Sequence, residues 1–153
     1  MPAGPLHAYL AGRAPDHRGR FVGEALAFTD EEAEAAHDYI QWLFPLPTRS
    51  MAQPGAPVLT ESEAAAIRAD PQALGNLARA AERMLDFYRN TDHWLAAQDH
   101  NHLRITRIIL SLRILAGAEA ARRFHARILA LHEAGGAPVN GRSLAFWENA
   151  ARG

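Results

Sequence analysis

Apolar residues recur at three- and four-residue spacing over most of the chain, and β-branched runs are scarce. The pattern predicts an all-α protein with no strand. From Pro71 to about Arg89, Leu74, Ala78, Ala81, Leu85 and Tyr88 fall on one helical face with Leu77 and Met84 beside them, which is the signature of a core helix. Cap residues precede the periodic stretches. Thr29 with Glu32 and Thr60 with Glu63 read as capping boxes, and Asp70-Pro71 places a cap directly before a proline suited to the first helical position. The helix opening at Asp30 is expected to run toward Phe44, where Pro45 and Pro47 stop it. Short helices are expected near Leu6 to Leu10 and Arg20 to Phe28, and an extended connection from Pro45 to Leu59. Asp99 is placed to cap a helix running to about Ala116, where Gly117 ends it. A further helix spans Ala118 to about Glu133, and Ser143 is placed to cap a last short helix carrying Leu144, Phe146 and Trp147. The expectation is therefore one compact multi-helix domain over residues 1–153, with a central buried helix around residues 100–116.

That central helix carries the first candidate chemistry. On a wheel of about 100° per residue, His100, Arg104, Arg107 and Ser111 fall within one sector roughly 60° wide. Leu103, Leu110 and Ile114 flank it on one side, and Ile105, Ile108, Ile109, Leu112 and Leu115 on the other. His102, Thr106 and Arg113 form a second, narrower strip expected to face water. Besides an ordinary surface strip, two readings follow for the first strip. Either Arg104 and Arg107 pair with acids inside the domain, Asp38 and Asp86 being the natural candidates, or they line an anion-receiving pocket with His100 and Asn101 near the positive end of their own helix.

The second dense segment runs His37-Asp38-Tyr39-Ile40-Gln41-Trp42-Leu43-Phe44-Pro45, switching abruptly from an acidic run into aromatic residues. On an unbroken helix His37, Gln41 and Phe44 share a face, with Asp38 one turn before Trp42. Buried Trp, Gln and His each require a hydrogen-bond partner, so the segment either packs a core or also lines a pocket with His37, Asp38, Gln41 and Trp42.

Composition narrows the chemistry. The chain has no cysteine, which removes disulfides, thiolate metal sites and cysteine nucleophiles together. Sixteen basic residues, all arginine, nearly cancel 17 acidic ones for a net charge of −1, which argues against a nucleic-acid partner. The longest apolar runs are far shorter than a membrane span, and the first ten residues lack the pattern of a signal peptide, so a soluble, cytoplasmic protein is expected. His100-Asn101-His102 has a His-x-His spacing, but within a helix the two rings point roughly 160° apart, so no metal site is expected. Phosphate-loop, Gly-x-Ser-x-Gly and His-Glu-x-x-His motifs do not occur. No cofactor and no catalytic residue is assigned. Acid–base chemistry by His37, Asp38 or His100 on an anionic substrate stands as the alternative to binding, and a structural or oligomerisation module as a third reading.

Two stretches carry a family resemblance: His37-Asp38-Tyr39-Ile40-Gln41-Trp42-Leu43-Phe44-Pro45-Leu46 and His100-Asn101-His102-Leu103-Arg104-Ile105-Thr106-Arg107-Ile108-Ile109-Leu110-Ser111-Leu112. They resemble the N-terminal domain family named after the opioid growth factor receptor. Weaker likeness covers Ala56 to Thr60, Met84 to Tyr88 and Ser143 to Trp147, in the family's order. The resemblance implies a helical domain whose animal members are receptors for the pentapeptide Met-enkephalin, associated with the nuclear envelope and restraining proliferation. The lysine-free, alanine-rich composition points to a bacterial, stand-alone member. The expected function is thus a module binding a peptide or a small anionic ligand. In it Arg104 and Arg107 supply positive charge, His100 and Asn101 supply directional hydrogen bonds, and His37, Asp38, Gln41 and Trp42 form the other wall.

Overall fold

The computed structural model describes residues 3–153, and among them every regular element is an α-helix, as the periodicity predicts. The chain divides into two compact units, residues 1–80 and 81–153.

In the first unit α1 (Pro5–Leu10) packs on α4 (Ile40–Leu43) and α5 (Glu61–Arg68), with α2 (Val22–Leu26) and α3 (Asp30–Ala35) between them in the chain. Leu6, Tyr9, Leu10, Leu43, Phe44 and Ile67 are buried. The Thr29–Glu32 capping box forms in full, with Thr29 Oγ1 accepting from Glu32 N and Glu32 Oε1 from Thr29 N. At Thr60 only half of the expected box forms. Thr60 Oγ1 accepts from Glu63 N at 3.1 Å, but the buried Glu63 carboxylate turns away and caps α1, accepting from Leu6 N at 2.8 Å and His7 N at 3.0 Å. The reason is positional: α1 has no side-chain cap of its own, so its first amides are orphan donors that a buried carboxylate satisfies best. Asn76 Nδ2 donates to Leu10 O at the other end of α1. Asp70 opens the next helix, α6 (Pro71–Asn90), by accepting from Gln72 N and Ala73 N. Its second oxygen meets His7 Nε2 at 2.9 Å.

The helix expected from Asp30 to Phe44 is interrupted. Ala36 is extended, with ψ at 133°, and residues 36–39 separate α3 from α4. Two tertiary contacts outweigh the helical period there: Tyr39 OH donates to Ala33 O, and Asp38 is drawn to Arg18 and Arg20. The shared face of His37, Gln41 and Phe44 therefore does not exist.

In the second unit α7 (Asn101–Leu115), α8 (Ala118–Ala134) and α9 (Gly141–Arg152) pack pairwise on one another, and the end of α6 contributes Met84, Leu85, Phe87 and Tyr88 to the buried set. The N-cap of α7 is His100, one residue after the expected Asp99, and its side chain makes no cap; Asp99 Oδ1 still accepts from Asn101 N, and Gly117 ends α7 at φ 110°, a backbone region essentially reserved for glycine. Asn140, rather than Ser143, caps α9: its Oδ1 accepts from Ser143 N at 2.8 Å, which starts the helix at Gly141.

The wheel is right about one apolar row and wrong about the rest of the face. Ile105, Ile108, Ile109, Leu112 and Leu115 are buried, whereas Leu103 is 72% exposed. His102, expected to face water, is buried because it is wanted inside. Its Nε2 donates to Trp94 O at 2.8 Å, and its own carbonyl accepts from Trp147 Nε1 at 3.0 Å. The Trp147 ring is set edge-on to both His102 and His132, and His132 Nε2 accepts from Val139 N. Among the described residues no helix is long and apolar enough to cross a membrane.

Candidate functional site

The start of α7 opens onto a hollow of about 850 Å³ lined by Gln98, Asp99, His100, His102, Leu103, Asn140, Arg142, Ser143 and Phe146. Its geometry follows from the caps. Asp99 is held by Asn101, whose backbone N and side-chain Nδ2 both donate to Oδ1 at 2.9 Å, and Asn101 Oδ1 in turn accepts from Tyr88 OH. Asn140 bridges Ala97 O to the first turn of α9, which puts Arg142, Ser143 and Phe146 on the opposite wall. The Arg142 guanidinium sits 5.6 Å from the Phe146 ring. Of the residues singled out from the sequence on this helix, His100 is exposed at the rim, while Asn101 is completely buried and acts by positioning Asp99. Arg104 is buried and Arg107 half-buried, and neither lines the hollow. Burial pushes the Arg107 pKa down to about 10, so the group stays protonated at neutral pH.

His37 and Asp38 line a different hollow, of about 480 Å³, in the first unit, with His17, Arg18, Arg20, Ala35, Ala36 and Gln53. Asp38 Oδ2 accepts from Arg18 Nε at 2.8 Å and Oδ1 from Arg20 Nη2 at 3.0 Å. Burial alone would raise the Asp38 carboxyl, but the hydrogen bonds and charge of Arg20 and then Arg18 outweigh it and hold the group below the ordinary carboxylate range. The two acids proposed as partners for Arg104 and Arg107 are thus engaged elsewhere, Asp38 by Arg18 and Arg20 and Asp86 by Arg89. Trp42 and Gln41 are buried next to this region. Trp42 Nε1 and Gln41 Oε1 have no hydrogen-bond partner among the described residues, and neither does Tyr9 OH, whose ring meets Trp42 edge-on at 5.4 Å. Burial, reinforced by Asp16 and Glu24, raises the Tyr9 pKa against the opposing charge of Arg20.

Residues 27–93 match the family model described as the opioid growth factor receptor conserved region. Over these residues, less than half of the chain, the protein is similar to that family. Two relatives agree with this: the opioid growth factor receptor of Mus musculus is 40% identical over 101 residues, and that of Rattus norvegicus 39% over 101 residues. Each alignment covers 52% of this chain but only 15% of the mouse protein and 17% of the rat protein, so the matched stretch is a small part of the receptors. No solved structure matches the chain. The matched stretch takes in His37, Asp38, Gln41 and Trp42 and stops short of His100.

Several lining residues were not legible as site residues beforehand. His17, Arg18 and Arg20 lie in a loop whose Gly, Pro and Asp content reads only as a turn, and Asp16 organises it by accepting from the backbone of Arg18 and Arg20. Arg142 and Phe146 enter through the last helix, where a four-residue spacing was the available signal. Among the described residues no three His, Asp or Glu side chains converge as a metal ion requires.

Proposed function

We propose that the chain is a binding module for a short peptide, which occupies the hollow between the start of α7 and the start of α9. The observation supporting this reading is that Leu103 and Phe146, 72% and 45% exposed, stand in one hollow with Asp99 and Arg142. Apolar surface left open to water beside one acid and one base complements a small zwitterion. The peptide ammonium goes to Asp99, its carboxylate to Arg142, and an apolar or aromatic side chain lies across Leu103 and Phe146. His100 adds a hydrogen bond at the rim, and Asn101 holds Asp99 in place. Arg104 and Arg107 contribute positive charge along α7 behind the hollow. The mouse and rat relatives are receptors by name, which accords with a peptide ligand.

Acid–base catalysis by Asp38 is the weaker reading, because a carboxylate held low by two guanidiniums is a poor base and carries no proton to give near neutral pH. Calorimetric titration with Met-enkephalin tests the proposal on the wild type, Phe146→Ala and Arg142→Ala, both altered side chains being exposed. Saturable binding weakened roughly tenfold by each substitution, or about 1.4 kcal/mol, is expected. Absence of binding, or binding that both variants leave untouched, overturns it. Concentration-dependent dimerisation abolished by Phe146→Ala also overturns it, and assigns the face to a second copy.

A further inference from the structure

The hollow of the first unit collects two guanidiniums and two imidazoles from the 16–20 loop and the break at 35–38. Two carboxylates pin the guanidiniums without covering them. Asp16, whose side chain is fully buried, accepts from Arg18 N at 2.8 Å and Arg20 N at 3.0 Å through Oδ1, and from Arg20 Nε at 2.8 Å through Oδ2. Asp38 turns both oxygens onto Arg18 Nε and Arg20 Nη2, with His17 Nε2 3.5 Å from its Oδ2, so its negative charge is directed into the two arginines and the imidazole that surround it. A guanidinium offers five donors in a rigid fork, and pinning it through Nε fixes the direction of those that remain. Among the described residues, both terminal nitrogens of Arg18 and Nη1 of Arg20 make no hydrogen bond to protein, while the Arg20 guanidinium carbon lies 5.7 Å from the centroid of the Phe28 ring. His17, 48% exposed, stands at the mouth with its ring stacked on Trp42, centroids 6.0 Å apart and planes 11° from parallel.

A carboxylate is satisfied by one planar fork, whereas donors arriving from two arginines and an imidazole suit a tetrahedral oxyanion. We infer that this hollow is a phosphate-monoester site in which Arg18, Arg20 and His17 bind the phosphoryl oxygens while Asp16 and Asp38 hold the guanidiniums. The open face of His17 takes the organic group of the ester. The site is independent of the peptide hollow, since it shares no residue with it. Because two aspartates formally cancel two arginines, the affinity rests on the direction of the free N–H groups rather than on net charge.

The test is titration of the full chain, at constant ionic strength, with phenyl phosphate, inorganic phosphate and acetate, followed by calorimetry and by the arginine Nε–Hε signals in a 15N spectrum. Phenyl phosphate and inorganic phosphate are expected to saturate, the ester more tightly, and acetate to give no saturable response. Arg18→Gln and His17→Ala, both at exposed side chains, are expected to weaken phosphate binding roughly tenfold or more with an unchanged far-UV spectrum. Acetate binding as well as phosphate overturns the inference, as does phosphate binding that both variants retain, or no saturation at all. Binding of inorganic phosphate with exclusion of phenyl phosphate overturns the monoester assignment and leaves a free-ion site.

Discussion

The buried Glu63 carboxylate ties α5 to the start of α1 in the first unit, and its removal has a calculable effect. It is 3% exposed and accepts from the amides of Leu6 and His7, which lie 57 and 56 residues earlier in the chain. Glu63→Ala leaves two buried N–H groups without a partner, at about 1–3 kcal/mol each, and the total is reduced because a charge no longer has to be desolvated. The expected loss is about 3 kcal/mol. Glu63→Gln keeps one acceptor and loses the charge at the helix end, for about 1–2 kcal/mol. Gly4 supplies an internal check. A Cβ at Gly4 would fall against the Glu63 carboxyl carbon, with Oε2 at 2.6 Å, and the carboxylate cannot yield without releasing the two amides. Gly4→Ala is therefore costly only while Glu63 is present. The assay is urea unfolding of the four members of the double-mutant cycle, with hydrogen exchange at Leu6 and His7. A coupling of more than about 0.5 kcal/mol is expected, with loss of amide protection in Glu63→Ala. Additive effects with Leu6 and His7 still protected would refute the reasoning.

Three further expectations follow from the same contacts. The folded Asp38 pKa lies below its ordinary 3.8, so the stability it contributes is present above that value and lost as pH falls through the folded pKa. Asp38→Asn is therefore expected to lower the melting temperature at pH 7, with the gap to wild type closing in strong acid. Burial lowers the His125 pKa below its ordinary 6.5 against the opposing charge of Glu148, so the unfolded chain takes the proton first and stability falls as pH drops through about 6.5. Thermal melts of His125→Leu between pH 8 and 5 are expected to lose that dependence. At φ 110° Gly117 occupies backbone space hostile to a side chain, so Gly117→Ala is expected to cost about 1–3 kcal/mol by denaturant titration.

Helices, caps and the main apolar row were readable because they are local. Thr29–Glu32, Asp70-Pro71 and Ile105 to Leu115 obey spacing rules that need only a few neighbours. What spacing missed was set by partners distant in sequence. The 36–39 break follows from Arg18 and Arg20 reaching Asp38, 20 and 18 residues away. Glu63 leaves its own cap for α1, and His102 displaces Leu103 from the interior because Trp94 O and Trp147 Nε1 are there to satisfy it. The same limit governed the sites. His37 and Asp38 do share a hollow, but its cations come from a loop that no helical wheel could place beside them. His100 likewise faces Arg142 and Phe146, whose position depends on Asn140 capping α9.

The peptide hollow is the central functional claim, and a two-dimensional 15N titration of the full chain with Met-enkephalin tests it most directly. The account predicts saturable shifts clustered at residues 98–103 and 140–146, with the Arg142 side-chain signal among them. Shifts that are absent, or that gather in the first unit while these two segments stay still, would contradict it.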